Sequence, residues 1–265
     1  MPLPKKWPNA LDDDLLSRVE DAGLNASAPP QQRWLDGWIV RYLPGKARRA
    51  RCINALASGR LALDVKLRIA AEVYREADLP MLFRLTPFTQ PATLDAELAV
   101  RDYGLVDSTR VMVLGTLPRE QPRPLPAGCH FSALGAFDFA DAVGALRGSS
   151  AAHRQSHALR LQHSPVTYQG YAIRRDADQA VLACGQFARE ADLVGLYDVF
   201  TLESARGLGL AGLLCERLLS VSALQGARIG YLQVDSENEP ALKTYRRLGF
   251  EDGYRYHYRE RPAVI

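Results

Sequence analysis

A run of small residues set between an apolar strand and an apolar helix constrains this chain most. Leu193 to Phe200 reads as the strand, and Leu213, Leu214, Leu218, Leu219 and Val221 leave one apolar face on a helix. Between them lies Thr201-Leu202-Glu203-Ser204-Ala205-Arg206-Gly207-Leu208-Gly209-Leu210-Ala211-Gly212. Small residues at such a junction let a ligand approach the backbone closely, and the unpaired N–H groups of a first helical turn favour an anion. The run reads as a phosphate cradle, and the fold must therefore feed a strand directly into a helix.

A second pattern follows. Leu232-Gln233-Val234 reads as another strand, and Asn238-Glu239-Pro240-Ala241 leads into Leu242-Lys243-Thr244-Tyr245-Arg246-Arg247-Leu248-Gly249-Phe250. Arg206, Gly209 and Ala211 spell Arg-x-x-Gly-x-Ala; Asn238, Ala241 and Tyr245 spell Asn-x-x-Ala-x-x-x-Tyr, with Gly-Phe after it. In this order, with one helix and one strand between them, the two patterns resemble the signatures of the GNAT superfamily, the acetyl-CoA-dependent N-acyltransferases. The resemblance implies an α/β (α+β) fold with a mixed, mainly antiparallel central sheet flanked by helices.

Leu117 to Pro126 holds four prolines in ten residues, which neither a helix interior nor a central strand tolerates. This segment divides the chain into residues 1–117, a linker 118–129, and residues 130–265. Downstream, Phe131 to Phe137 reads as a strand, Asp138 to His163 as helices, and Thr167 to Arg175 with Val181 to Ala188 as a hairpin. That order matches a GNAT domain, which closes with two strands after its last helix. Upstream, the readings are strands at 38–43, 51–56, 81–86 and 109–114, with helices at 63–77 and 94–103. Ala96 to Asp107 also aligns without gaps on Ala241 to Asp252, matching at Ala, Arg, Gly and Asp. The whole resembles tandem GNAT proteins with a degenerate first half, which carries Ser58-Gly59-Arg60-Leu61-Ala62-Leu63 where a cradle belongs and is expected not to bind CoA. Its Trp38, Arg41, Arg48 and Arg49 are candidates for a substrate wall, with ordinary packing as the competing reading.

The resemblance implies a site. The backbone of Arg206, Gly207, Leu208, Gly209, Leu210, Ala211 and Gly212 would hold the CoA pyrophosphate. Val199, Phe200 and Thr201 would offer backbone groups to the pantetheine arm, and Asn238 would contact the same arm. Tyr245 falls where the family places its general acid, a phenol with an ordinary pKa of ~10 set to protonate a leaving thiolate. The base stays open. Many relatives carry a glutamate where this chain has Gly195. Asp198 is the nearest carboxylate, on the required face only if the strand bulges. Glu203, Asp235, His257 or a water chain would also serve. The expectation is direct N-acetyl transfer from acetyl-CoA to a primary amine, with a small-molecule acceptor. A non-catalytic CoA-binding or assembly module is the alternative.

Composition narrows the partners. A net charge of +3 over 265 residues is mild, and the one dense basic run, Lys46 to Arg51, lacks interleaved aromatics, so no nucleic-acid partner is expected. No signal-like or membrane-spanning segment is read, which points to the cytoplasm. Cys52, Cys129, Cys184 and Cys215 are scattered without metal-ligand spacing, and His153 and His157, four apart, lack a third ligand, so no metal is expected. The histidines read as surface residues. A homodimer formed through edge strands stays open.

Overall fold

A computed structural model describes residues 11–45 and 47–261. The Met1 to Lys6 segment and Lys46 of the basic run lie outside the described residues. In chain order the elements are α1 (Asp13–Ala26), β1 (Gln32–Leu35), β2 (Trp38–Arg41), β3 (Ile53–Ala55), α2 (Leu63–Glu76), β4 (Met81–Leu85), α3 (Leu94–Ala99) and β5 (Gly104–Leu114). After the proline segment come β6 (Cys129–Leu134), α4 (Ala136–Leu146), α5 (Ala151–Gln162), β7 (Tyr168–Arg175), β8 (Val181–Glu190), β9 (Leu193–Thr201), α6 (Leu210–Leu224), β10 (Ile229–Asp235), α7 (Glu239–Arg247) and β11 (Glu251–Arg261).

The strands form one sheet of eleven, ordered β1-β2-β3-β4-β11-β5-β10-β9-β8-β7-β6. Pairing is antiparallel except between β3 and β4 and between β9 and β10. Two strands cross the midline. β5, from the first half of the chain, pairs with β10 of the second, while β11, the last strand, pairs with both β5 and β4. This corrects the expectation of two closing strands: among the described residues a single strand follows α7, and β5 fills the neighbouring place. The aligned segments 96–107 and 241–252 are related accordingly, since α3 feeds β5, α7 feeds β11, and those two strands pair with each other.

Local chemistry accounts for the helices. Asp12 caps α1 by accepting from the Asp14 N–H at 3.2 Å, and Asp13 and Asp14 complement the positive end of the helix. Ser150 and Asn238 cap α5 and α7 in the same way. The helix α1 was not foreseen, because its acidic start was read only as the absence of a leader. It packs Val19, Ala22 and Ala26 onto Val111 and Val113 of β5, Leu193 and Tyr197 of β9, and Tyr254 and Tyr256 of β11. Beneath it, Glu20 takes both guanidinium nitrogens of Arg84 and the Tyr254 hydroxyl, joining α1, β4 and β11 in a buried network. A second core lies under α6 and α7, where Leu214, Leu218 and Leu242 meet Phe187, Val194, Leu232 and Phe250. The first half has its own core about Trp38, Phe83 and Tyr103.

Candidate active site

The sheet opens at the centre of the second half. Parallel pairing of β9 with β10 ends at Leu196 and Leu232, after which Gln233 to Asp235 keep only β5 as a registered partner. The register of β9 on β8 also slips, so that Phe200 faces Cys184 and Tyr197 faces Gln186, leaving Asp198 and Val199 in a bulge. Asp198 sits at φ +50°, the left-handed backbone that such a bulge uses. The strand bulges at Asp198, but the Asp198 side chain lines a different cavity from Val199 and Thr201.

A cleft of about 840 Å³ runs from this wedge to the start of α6. Its walls come from Val199, Phe200 and Thr201, from Arg206 to Gly212, and from Asn238 and Tyr245. Leu208 alone of the expected cradle residues is turned out, 63% exposed beside the lining. Gly207 and Gly209 adopt φ +82° and +73°, and a Cβ built on either meets nothing within 4 Å. The left-handed Gly209 stands at the N-cap of α6 with no capping side chain, so the first-turn N–H groups have no side-chain oxygen to receive them. That makes a cradle suited to an anion, with cations at its rim: Arg206, Arg247, and Arg123 from the proline segment. Arg123 was not anticipated. It is pinned to α6 through Glu216 at 2.6 Å, while Arg217 donates to its carbonyl at 2.6 Å. Asn238 spends its side-chain oxygen on the Ala241 N–H at 3.2 Å, so its place on the cleft coincides with its role as helix cap.

In the first half the loop that leads into α2 is held by the protein's own carboxylate, just ahead of the N-cap Ala62. Asp36 accepts from the N–H groups of Arg60 at 2.9 Å and Leu61 at 2.8 Å, and these bonds, the Leu61 one foremost, hold its carboxyl below the usual range. A Cβ on Gly59 would collide with Asp36 at 2.2 Å.

Tyr245 lines the cleft, packs edge-on against Phe250 at 6.1 Å, and has its phenol pushed well above the usual value by burial. Asp198 is buried, which by itself would raise its pKa. The side-chain hydrogen bond with His157 and the charge of Arg147 overcome this and hold it ionised far below the usual range. Arg147 lies at 3.0 Å, His157 Nε2 at 3.4 Å, and the Gln186 amide donates at 2.7 Å. His157 is therefore no surface residue: its side chain is 17% exposed and packs on Phe139. His153, on the same face of α5, is exposed and bonds to Ser150.

The remaining base candidates fall away. Glu203 points to solvent beside Arg206, Asp235 caps its own turn at the Glu237 N–H, and His257 is buried against Asp95 at 3.0 Å on β11. Gly195 cannot be a carboxylate here, since a Cβ would strike the rings of Tyr231 at 2.5 Å and Tyr197 at 2.6 Å, whose hydroxyls share a 2.8 Å hydrogen bond. The expected wall of the first half is corrected in part. Trp38 lies under the ammonium of Lys66, Arg41 is buried on the Leu24 carbonyl, and Arg48 pairs with Asp107, which fits the packing reading, while Arg49 lines a cavity.

Burial pushes the thiols of Cys184 and Cys215 up to about 12, which makes either a poor nucleophile. Among the described residues no cluster of three or more His, Cys, Asp or Glu could hold a metal ion, and no helix is long and apolar enough to cross a membrane.

A splayed parallel strand pair, an open helix start at its tip and a tyrosine facing the wedge define an acyltransferase fold of the GNAT kind. Residues 143–250 match the model of the Acetyltransferase (GNAT) family. A GCN5-related N-acetyltransferase from Kribbella flavida superposes with a TM-score of 0.66 over 94% of this chain and 96% of its own, at 20% identity. A tandem GNAT protein from the clavulanic acid biosynthesis pathway superposes with a TM-score of 0.62 over 75% of this chain and 69% of its own, at 17% identity. A GCN5-related N-acetyltransferase from Sphaerobacter thermophilus gives a TM-score of 0.58 over 75% and 67%, at 18% identity. These likenesses are of fold. No curated protein sequence matches the chain.

Proposed function

We propose that the chain is an N-acetyltransferase that moves an acetyl group from acetyl-CoA to a primary amine of a small molecule by direct transfer. The observation that carries this reading is the uncapped helix start at the left-handed Gly207 and Gly209, lying on one cleft with Tyr245 and the β9 bulge. When bound, acetyl-CoA supplies the activated acetyl thioester.

The N–H groups of residues 210–212 and the rim arginines hold the pyrophosphate, and the β9 backbone at Val199 to Thr201, which has no registered partner on the β10 side, holds the arm. His157 takes the proton of the attacking amine, and Asp198 acts through it, holding the imidazole by charge and orientation. Tyr245, kept protonated by burial, offers its O–H to the departing sulfur. Reading residues 1–117 as a degenerate GNAT-like half, 118–129 as a linker and 130–265 as the catalytic half is supported by the α3–β5 and α7–β11 correspondence and by the Asp36 carboxylate in the loop before α2. Dependence on acetyl-CoA fits a cytoplasmic protein.

The test is a calorimetric titration with acetyl-CoA of the wild type and of Gly209→Glu, which puts bulk and negative charge into the cradle. One equivalent for the wild type and none for the variant supports the reading, and absence of binding to the wild type refutes it. A protein that binds one equivalent but acetylates no amine in a broad screen would instead be a CoA-binding module.

A further inference from the structure

A second cavity, of about 340 Å³, abuts the acyl end of the CoA cleft and is built from both halves of the chain. The first half supplies Leu43, Pro44 and Arg49; the second supplies Arg147, His157, Arg160 and Asp198. Asp198 and Val199 are neighbours in the bulge, one lining each cavity, and the Arg147 guanidinium lies 5.5 Å from the Phe200 ring of the CoA cleft. An acceptor in this cavity is therefore adjacent to the thioester end of the donor site.

Its charge is lopsided. Arg49, Arg147 and Arg160 face a single carboxylate, Asp198, which Arg147, His157 and Gln186 already satisfy. Arg49 spends its guanidinium on neutral groups, the Gln233 amide oxygen at 3.1 Å and the Tyr256 hydroxyl at 3.4 Å. Neither Arg49 nor Arg160 has a carboxylate within ion-pair distance among the described residues. Two guanidinium groups without a direct ion pair, Arg160 lying only in the longer-range field of Asp198, thus border a small, half-enclosed space that an anion could enter. Guanidinium groups bind carboxylate and phosphate oxygens by paired hydrogen bonds, and 340 Å³ is the volume of a metabolite site.

Resting on the acyltransferase reading, we infer that the acceptor is a small primary amine that also carries an anionic group, carboxylate or phosphate, held by Arg49 and Arg160. The first half of the chain, which has no cradle of its own, then contributes Arg49 as a determinant of acceptor choice.

The experiment uses the full chain and matched acceptors: α-amino acids and ω-amino acids against their decarboxylated amines, and phosphoethanolamine against ethanolamine. Acetyl transfer is followed by release of the CoA thiol, and acceptor binding by calorimetry in the presence of CoA. The expected result is a kcat/KM at least about tenfold higher for anionic members, with Arg160→Gln and Arg49→Gln raising their KM by a similar factor and leaving the KM for acetyl-CoA unchanged. Arg160→Gln, on the rim of α5, stands in should Arg49→Gln fail to fold. The carboxylate and phosphate series show which anion is used. The inference is overturned if neutral amines serve equally well, if the folded variants keep wild-type KM values, or if the protein binds acetyl-CoA and yet neither binds nor acetylates any anionic member. Failure to bind acetyl-CoA at all would instead bring down the acyltransferase reading itself.

Discussion

Tyr245, Gly195 and Asp198 each carry a prediction at the scale of a single residue. The Tyr245 phenol is buried beside the cleft, so Tyr245→Phe is expected to lower kcat by about 10²-fold while calorimetry finds the acetyl-CoA affinity unchanged. Gly195 stands where many relatives place a glutamate, and that side chain has no room beside Tyr231 and Tyr197. Gly195→Glu is therefore expected to destabilise the fold by about 1–3 kcal/mol of overpacking in a denaturant titration, with no gain in rate. Asp198 answers to pH. Its folded pKa is depressed by His157 and Arg147, so its ionised form contributes stability that is fully present above the unfolded carboxylate value and is lost as pH falls through the folded one. The stability gap between the wild type and Asp198→Asn should hold steady above about pH 5 and close on acidification. A gap that widened in acid would contradict the ion-paired geometry.

The elements carry the difference between the two helix starts. Neither α2 nor α6 has a capping side chain, yet the loop before α2 folds around the Asp36 carboxylate at residues 60 and 61, whereas α6 starts at the left-handed Gly209 on the cleft. The wild type should consequently bind one equivalent of acetyl-CoA. A second equivalent would show that the first half keeps a CoA site of its own. At the other end of the core, Glu20 on α1 meets Arg84 of β4 and Tyr254 of β11 with all three side chains buried. Glu20→Ala strands a buried guanidinium and is expected to cost about 3–5 kcal/mol, read as a lowered denaturation midpoint with an unchanged slope.

At the scale of the molecule, the exchange of β5 and β11 makes the two halves one sheet. Without residues 104–114 the second half would expose the edges of both β10 and β11, and without β11 the first half would expose β4. Separately expressed 1–117 and 118–265 fragments are expected to aggregate, whereas co-expression restores a soluble complex that binds acetyl-CoA. The full chain should unfold in a single transition seen alike by tyrosine fluorescence and circular dichroism. Two separated transitions would mean that the shared sheet does not couple the halves.

What was legible in the sequence was local. Glycines at 207 and 209 demand a backbone that few other residues adopt, the Asn238-to-Tyr245 spacing sets a cap and a cleft-facing phenol one helix apart, and apolar periodicity marks most strands and helices within a few residues. These signals depend on neighbours in the chain. Tertiary structure alone decided the rest: that β5 and β11 change places, that Asp36 reaches Leu61 across the turn before α2, that His157 meets Asp198, and that Arg49 joins Arg160 in one cavity. Those contacts join residues far apart in the chain, and their partners are selected by sheet register and by the burial of charge, neither of which leaves a periodic trace in the sequence.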